Sequence, residues 1–140
     1  MGRRHKRIDG NEYYEIIDEF MEAISIRWPR ALVQFEDFQT KHAIKLLRRY
    51  KNNFLMFNDD IQGTAATVLA GLYGSLKLQG KPLTALKDEK IMIVGAGSAA
   101  MGVTLTIRKA MALRMGISME EACERFFILD QDGLITKVDS

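Results

Sequence analysis

The sequence has little cysteine, little proline and almost no net charge, and it lacks a long apolar run. Its one cysteine among 140 residues, Cys123, excludes an internal disulfide and is typical of a reducing compartment. Twenty basic and eighteen acidic side chains leave a net charge of +2, which predicts neither nucleic acid nor a membrane surface as a partner. The most apolar stretch, residues 91–103, is broken by glycines and is shorter than the roughly 20 residues that a membrane helix needs. We therefore expect a soluble globular chain, and its charged start predicts no signal peptide.

Strands and helices alternate in the predicted secondary structure. Apolar residues recurring at intervals of three and four predict helices that end near Trp28, Tyr50, Gly80, Met115 and Arg125. Short apolar runs predict strands over residues 31–35, 54–57, 90–94 and 126–130. Asn11 and Thr64 are predicted N-caps, and Ser118 with Glu121 forms a predicted capping box. The alternation predicts an α/β fold in which a parallel sheet has helices on its faces.

Two predicted strands each lead into a pair of acidic residues. Glu36 and Asp37 follow the first strand, and Asp59 and Asp60 come just after the second. Sites in open parallel sheets gather at the carboxyl ends of the strands. Four carboxylates meeting there repel each other unless a cation neutralises them, and oxygen ligands select Mg²⁺ or Mn²⁺ rather than zinc. The alternative is that these acids only begin helices, where the helix dipole favours negative charge.

A glycine-rich turn connects the third predicted strand to a long helix. Gly95 permits a tight turn, Gly97 lets the backbone approach a pyrophosphate, and Ala100 substitutes for a third glycine. Free amides at the helix start are suited to phosphate oxygens. Asp130 ends the next strand, where an acid can accept hydrogen bonds from an adenosine ribose, although it lies farther along the chain than the usual spacing of about 20 residues. The pattern favours dinucleotide binding over a purely structural turn.

The histidines and the cysteine carry no comparable signal. His5 and His42 have no partner at a metal-binding spacing, so we interpret them as surface or core residues. Cys123 lies on a short amphipathic segment without a neighbouring histidine, and we interpret it as a packing residue.

Taken together and in this order, three segments resemble the malic enzymes. Residues 34–38 (QFEDF) are similar to the first metal-binding motif of that family, and residues 57–64 (FNDDIQGT) to its most distinctive stretch. Residues 95–102 (GAGSAAMG) resemble its cofactor loop, with serine at 98 where many members carry an acid. The resemblance extends over essentially all 140 residues.

The resemblance implies an activity and a set of binding residues. Malic enzymes oxidise malate and decarboxylate the product to pyruvate and carbon dioxide. The residues implied to bind the divalent metal, Mg²⁺ or Mn²⁺, are Glu36, Asp37 and Asp60. The residues implied to bind the NAD or NADP cofactor are Gly95, Gly97, Ser98, Ala99, Ala100 and Asp130. Asp59 is implied to be a supporting acid beside the metal.

The resemblance also implies that the active site is incomplete. The family places its acid–base tyrosine and lysine, and a substrate-binding arginine, upstream of this segment, so no catalytic residue is assigned. Residues 1–58 correspond to part of the metal and substrate domain, and residues 59–140 to the first part of the NAD(P)-binding domain. We therefore expect an incomplete Rossmann-type unit preceded by a metal-site α/β segment. The 140 residues alone are expected to lack malate-oxidising activity and to be marginally stable.

Two other functions are consistent with the same residues. A malolactic enzyme, which releases lactate from malate with bound NAD, resembles this family over the same segment. A non-catalytic remnant that binds metal or nucleotide, or docks on a full-length relative, is the other alternative. The resemblance implies malate and pyruvate as small-molecule ligands, a homo-oligomer for the full-length enzyme, and the cytoplasm or the mitochondrial matrix as compartment.

Overall fold

The structure, a computed structural model, describes residues 4–136. Its helices are α1 (Asn11–Arg27), α2 (Thr40–Tyr50), α3 (Thr64–Leu78), α4 (Ser98–Met115) and α5 (Met119–Cys123). Its strands are β1 (Val33–Phe35), β2 (Met56–Asn58), β3 (Ile91–Val94), β4 (Phe126–Asp130) and β5 (Gly133–Leu134). A π-helical turn over Asp59–Gly63, here called the π-turn, leads into α3, and a 3₁₀ helix over Leu83–Asp88 follows α3. No helix in the described range is long and apolar enough to cross a membrane.

The first part of the chain is built around a parallel pair of short strands. β1 pairs with β2, with Val33 opposite Met56 and Phe35 opposite Asn58. Helices α1 and α2 contribute to one apolar core with these strands, which contains Ile17, Met21, Phe35, Leu46, Tyr50 and Met56. Because the two strands run in the same direction, the residues that follow each of them emerge at the same edge.

The second part of the chain repeats this arrangement with a larger core. β3 pairs in parallel with β4, and β5 adds an antiparallel edge after a tight turn. The core beneath it contains Ala65, Leu76, Leu86, Val103, Ile107, Met111 and Ala122. The α/β class with parallel strands and flanking helices is therefore confirmed. The hydrogen-bonded strands form two sheets, β1-β2 and β3-β4-β5, rather than one continuous sheet.

The predicted N-terminal caps are correct at one helix and wrong at two others. Ser118 accepts a hydrogen bond from the amide of Glu121 (3.0 Å), whose carboxylate accepts one from the amide of Ser118 (2.7 Å), so the capping box is confirmed. Asn11 does not cap α1, because the helix already includes it and Gly10 occupies the N-cap position. Thr64 does not cap α3, because the backbone is already helical from the π-turn onward and Asn58 provides the cap.

The apolar face of α1 is only partly buried. Ile17 and Met21 are buried, but Ile16, Phe20 and Trp28 remain 48%, 49% and 55% exposed. The apolar periodicity of residues 13–28 predicts one buried face, and that prediction is wrong for these three residues. The core that α1 meets comes from β1, α2 and β2, and it covers a narrow stripe rather than the whole apolar face.

Candidate functional site

The acids after β1 lie in an unusual backbone conformation. Asp37 has φ = 60°, and it is the one non-glycine residue with positive φ in the range 4–136. This left-handed conformation is disfavoured for residues with a side chain, and aspartate tolerates it better than most. It directs the Asp37 amide to Oδ2 of Asp60, at 2.9 Å. The neighbouring Glu36 accepts a hydrogen bond from Nε2 of Gln34 (2.9 Å), and both side chains are exposed.

The acids after β2 lie in the π-turn, which is held together by Asn58. This residue is fully buried, and its Oδ1 accepts a hydrogen bond from the amide of Ile61 (3.0 Å). The backbone amide of Asn58 donates a hydrogen bond to Oε1 of Gln62 (3.0 Å), so Asn58 holds both ends of the turn. Single π-helical turns are rare in proteins, and those that occur are often found at functional sites. Asn58 was not among the predicted site residues, although its place directly before two acids was a signal for it.

A glycine closes the π-turn over the first of its acids. A Cβ on Gly63 would lie 2.9 Å from Cγ of Asp59, and closer still to Oδ1 of the same side chain. An alanine at 63 would therefore displace the Asp59 carboxylate, which is the flexible end of a side chain, rather than the backbone. The absence of a side chain at 63 allows Asp59 to fold back along the turn.

Of the three predicted metal ligands, the structure holds the Asp60 carboxylate against the backbone of Asp37. Asp60 contacts the backbone of Asp37, while the Glu36 carboxylate is engaged with Gln34. Across the described part of the chain, no three histidine, cysteine, aspartate or glutamate side chains are placed to hold a metal ion. The donors are oxygen atoms suited to a hard cation. Asp60 is adjacent to Asp37 through the backbone amide of Asp37, and the exposed Glu36 carboxylate accepts a hydrogen bond from Gln34.

The glycine-rich turn has the geometry of a phosphate-binding loop. Gly95 has φ = 112°, a value that favours glycine, and its amide donates to the carbonyl of Leu129 at 2.7 Å. Gly97 is extended and leads directly into α4, which begins at Ser98. The Ser98 hydroxyl is buried and has no hydrogen-bond partner within residues 4–136. A buried hydroxyl at a helix N-terminus, next to free amides, fits an anionic group of a ligand.

The predicted ribose-binding acid lies at the same sheet edge as this loop. Val94 is opposite Leu129 in the parallel register, so Gly95 and Asp130 both leave the sheet at one end. Oδ1 of Asp130 accepts a hydrogen bond from the amide of Asp132 (2.8 Å), which closes the turn into β5. The Asp130 side chain is exposed, and its second oxygen faces no hydrogen-bond donor among the described residues.

The acidic π-turn is in direct contact with α4, the helix that follows the glycine-rich turn. Gly102 of α4 is buried against the backbone of Ile61, with no room for a side chain between them. A Cβ on Gly97 would meet Thr40, the first residue of α2, at 3.9 Å. Gly102 was quoted within the family motif but was not predicted as a site residue, because spacing alone does not show what a helix packs against.

A second polar cluster lies beside Asp37 and contains His42. The ring is buried, stacked on Tyr13 with centroids 4.3 Å apart, and its Nδ1 is 2.9 Å from the hydroxyl of Tyr14. Nε2 of His42 lies 3.4 Å from Asp9, which also pairs with Lys41. The hydrogen bond from Lys41 is the main reason that the pKa of Asp9 is lowered.

Comparison with known proteins places the chain in a family. A family model described as "Malic enzyme, NAD binding domain" matches residues 61–140. A second, described as "Malic enzyme, N-terminal domain", matches residues 1–51. The predicted boundary between residues 58 and 59 lies within the gap between these matches, residues 52–60, and it stays a prediction.

Individual relatives are similar over almost the whole chain. "NAD-dependent malic enzyme 2, mitochondrial" of Arabidopsis thaliana is 54% identical over 136 residues, which are 97% of this chain and 22% of that protein. "NAD-dependent malic enzyme, mitochondrial" of Solanum tuberosum is 52% identical over 140 residues, or 98% of this chain and 22% of that protein. "NAD-dependent malic enzyme" of Pectobacterium carotovorum is 47% identical over 136 residues, or 97% of this chain and 23% of that protein.

The chain thus spans about a fifth of the length of these relatives. The match to the NAD-binding model alone covers more than half of the 140 residues. The glycine-rich turn between β3 and α4, with Asp130 at the end of β4, agrees with that match. This protein belongs to the malic enzyme family.

Proposed function

We propose that this chain is a segment of an NAD-dependent enzyme that oxidises malate and decarboxylates the product to pyruvate and carbon dioxide. The observation that carries the proposal is the hydrogen bond from the Asp37 amide to the Asp60 carboxylate. It joins the acidic ends of β1 and β2 at one edge, next to the start of α4. The relatives named above are NAD-dependent malic enzymes by their printed names, which supports the same activity for the longer protein.

Within this proposal, Glu36, Asp37 and Asp60 hold Mg²⁺ or Mn²⁺. When bound, the cation supplies Lewis acidity that polarises the substrate oxygen next to the carbon that loses hydride. The hydrogen bond from the Asp37 backbone amide to the Asp60 carboxylate keeps these two residues adjacent, which supports their binding one ion. Glu36 joins by exchanging an exposed hydrogen bond to Gln34 for the cation, and exposed hydrogen bonds of this kind contribute only about 1 kcal/mol. Asp59 remains a supporting acid that is held in place by the turn.

Residues 95–100 hold the pyrophosphate of the dinucleotide. Gly95 and Gly97 keep side chains out of the loop, and the free amides of the first turn of α4 face the phosphate oxygens. The buried Ser98 hydroxyl supplies a further donor, since no described residue uses it. The loop is completed by Ala99, which is exposed, and by Ala100, which is buried and replaces the third glycine of the motif.

Asp130 favours NAD over NADP as the cofactor. Its carboxylate can accept hydrogen bonds from a free ribose 2′-hydroxyl, and its negative charge repels a 2′-phosphate. Oδ1 is engaged with the Asp132 amide, which fixes the orientation of the carboxylate and leaves the second oxygen for the ribose. The longer enzyme is proposed to act as a homo-oligomer in the mitochondrial matrix. The plant relatives are named as mitochondrial enzymes, which supports a mitochondrial location.

Binding of Mn²⁺ to the purified chain tests the metal site directly. We expect wild type to bind Mn²⁺ and Asp60→Asn to bind it at least tenfold more weakly, because the amide removes the negative charge and one strong ligand. Asp88→Asn is the matched control, since Asp88 is an exposed carboxylate of the 3₁₀ helix far along the chain from the acid pairs. Equal Mn²⁺ affinity of wild type and Asp60→Asn, or equal loss in both variants, would contradict the proposed ligand set.

Turnover by the same chain tests whether the 140 residues contain the acid and the base of the reaction. We expect no malate-dependent reduction of NAD by the 140 residues, because none of them is assigned as the acid or the base of the reaction. The control is an intact malic enzyme that is active under the same conditions. Measurable turnover by the purified chain would show that its own residues complete the active site.

A further inference from the structure

Gly102 brings α4 into backbone contact with the π-turn. A Cβ on Gly102 would lie 2.9 Å from both the Cα and the carbonyl carbon of Ile61, and closer still to its carbonyl oxygen. Real Cβ atoms do not approach other atoms this closely, and a backbone carbonyl cannot move aside as the tip of a side chain can. The separation between α4 and the π-turn is therefore one that only glycine at position 102 allows.

Ile61 connects this contact to the acidic residues. It follows Asp60 in the π-turn, its amide is held by Asn58, and its side chain is buried. The preceding Asp60 accepts the hydrogen bond from the Asp37 amide. A displacement of Ile61 therefore shifts Asp60 relative to Asp37, because Ile61 is bonded directly to Asp60 in the short turn.

The same contact also reaches the glycine-rich turn. Gly102 lies four residues after Ser98, one helical turn from the N-terminus of α4. An α-helix moves as a rigid unit over one turn, so the position of Gly102 determines where the first amides and the Ser98 hydroxyl lie. Gly102 thus sets the position of Asp37 and Asp60 relative to the phosphate-binding amides.

We propose that Gly102 is a positioning residue that makes metal binding and dinucleotide binding cooperative. The inference rests on the proposed function, since it assigns the metal to the acids and the dinucleotide to the loop. A ligand that fixes the position of either element also fixes the other through this contact, so its binding changes the affinity of the second site. Coupling between two protein sites typically changes affinity by about 5- to 150-fold, and it must be the same in both directions.

The chain offers a matched control glycine in α3. A Cβ on Gly74 would have no neighbouring atom within 4 Å, so alanine there meets no obstacle and has better helix propensity. Gly74→Ala and Gly102→Ala make the same chemical change within a helix. They differ in whether the added methyl group meets the π-turn.

The test is the Mn²⁺ dissociation constant, measured by isothermal titration with and without saturating NAD. We expect NAD to tighten Mn²⁺ binding at least fivefold in wild type and in Gly74→Ala. In Gly102→Ala we expect a change of less than twofold, even where each ligand alone still binds. A role of Gly102 in packing alone would lower stability but leave the fold-change as in wild type, and that result would overturn the proposal.

Other outcomes separate this proposal from the one on which it rests. If wild type binds neither ligand, the proposed sites are wrong and the coupling proposal is overturned with them. If wild type binds both ligands independently, only the coupling is overturned. Should Gly102→Ala fail to fold, amide hydrogen exchange of wild type decides: NAD alone should slow exchange at residues 59–63, and unchanged exchange there would overturn the coupling.

Discussion

The left-handed backbone of Asp37 leads to a prediction about stability. At ordinary positions alanine is more stable than glycine, because glycine loses more conformational freedom on folding. Asp37 has φ = 60°, where a Cβ is strained and glycine is not. We therefore predict that this order is reversed at position 37, so that Asp37→Gly is more stable than Asp37→Ala.

The size of the reversal follows from two opposing terms. A left-handed conformation costs a residue with a Cβ about 1–2 kcal/mol. The extra entropy of glycine in the unfolded chain offsets about 0.5–1 kcal/mol of this. The net difference is about 1 kcal/mol in favour of glycine. The hydrogen bond to Asp60 contributes equally in both variants, because its donor is the backbone amide of residue 37.

Urea unfolding of the two variants measures this difference. We expect the midpoints to differ by the equivalent of about 1 kcal/mol at an unchanged m-value. Gly74→Ala is the control, because it replaces a glycine in an unstrained helix and should show the opposite order, with alanine more stable by about 1 kcal/mol. Equal stability of the two variants at position 37, or a more stable alanine, would refute the assignment of strain to this residue.

The same pair of variants relates strain to function. Strained backbone conformations concentrate at functional sites, where the chain keeps them for what the side chain does. If Asp37 is a metal ligand, Asp37→Gly gains stability relative to Asp37→Ala, yet both variants lose Mn²⁺ affinity to a similar extent. A Mn²⁺ affinity of Asp37→Gly equal to that of wild type would show that the carboxylate is not a ligand.

Three further predictions concern parts of the fold away from the acid pairs. Ile107→Ala should lower the free energy of unfolding by about 2–5 kcal/mol, because Ile107 is fully buried. Leu113 lies in the same helix and is 84% exposed, so Leu113→Ala should stay within about 0.5 kcal/mol of wild type. Chemical unfolding of both variants measures the difference. Ser118→Ala should cost about 1 kcal/mol through loss of the capping box, and a melting temperature equal to that of wild type would count against the cap. Burial, and then the hydrogen bond to Asp18, raise the pKa of Tyr50 above its usual 10.0. The contribution of Tyr50 to folding stability is therefore fully present below pH 10 and is lost as the pH rises towards its folded-state pKa. Tyr50→Phe should make the free energy of unfolding decline less steeply at alkaline pH. An unaltered decline would argue against this cause.

Local patterns in the sequence were sufficient for most of the fold. The strands β3 and β4, the helix α4 and the capping box at Ser118 follow from apolar periodicity and from short-range side-chain chemistry. The N-caps at Asn11 and Thr64 were predicted wrongly, because capping depends on where the helical backbone begins, and in both cases it begins earlier or at the residue itself. The exposed Phe20 and Trp28 show that periodicity identifies an apolar face but does not show how much of it a neighbour covers.

For the candidate site, the residue types at the strand ends can be read from the sequence alone. Carboxylates after two parallel strands and glycines before a long helix are local facts, and the chemistry of a hard cation and of a dinucleotide follows from them. How these parts meet is visible only in the folded chain. The left-handed turn at Asp37, the π-turn held by Asn58 and the contact of Gly102 with Ile61 join residues that are distant in sequence. Their geometry depends on how helices and strands pack in three dimensions, and no spacing along the chain encodes that distance.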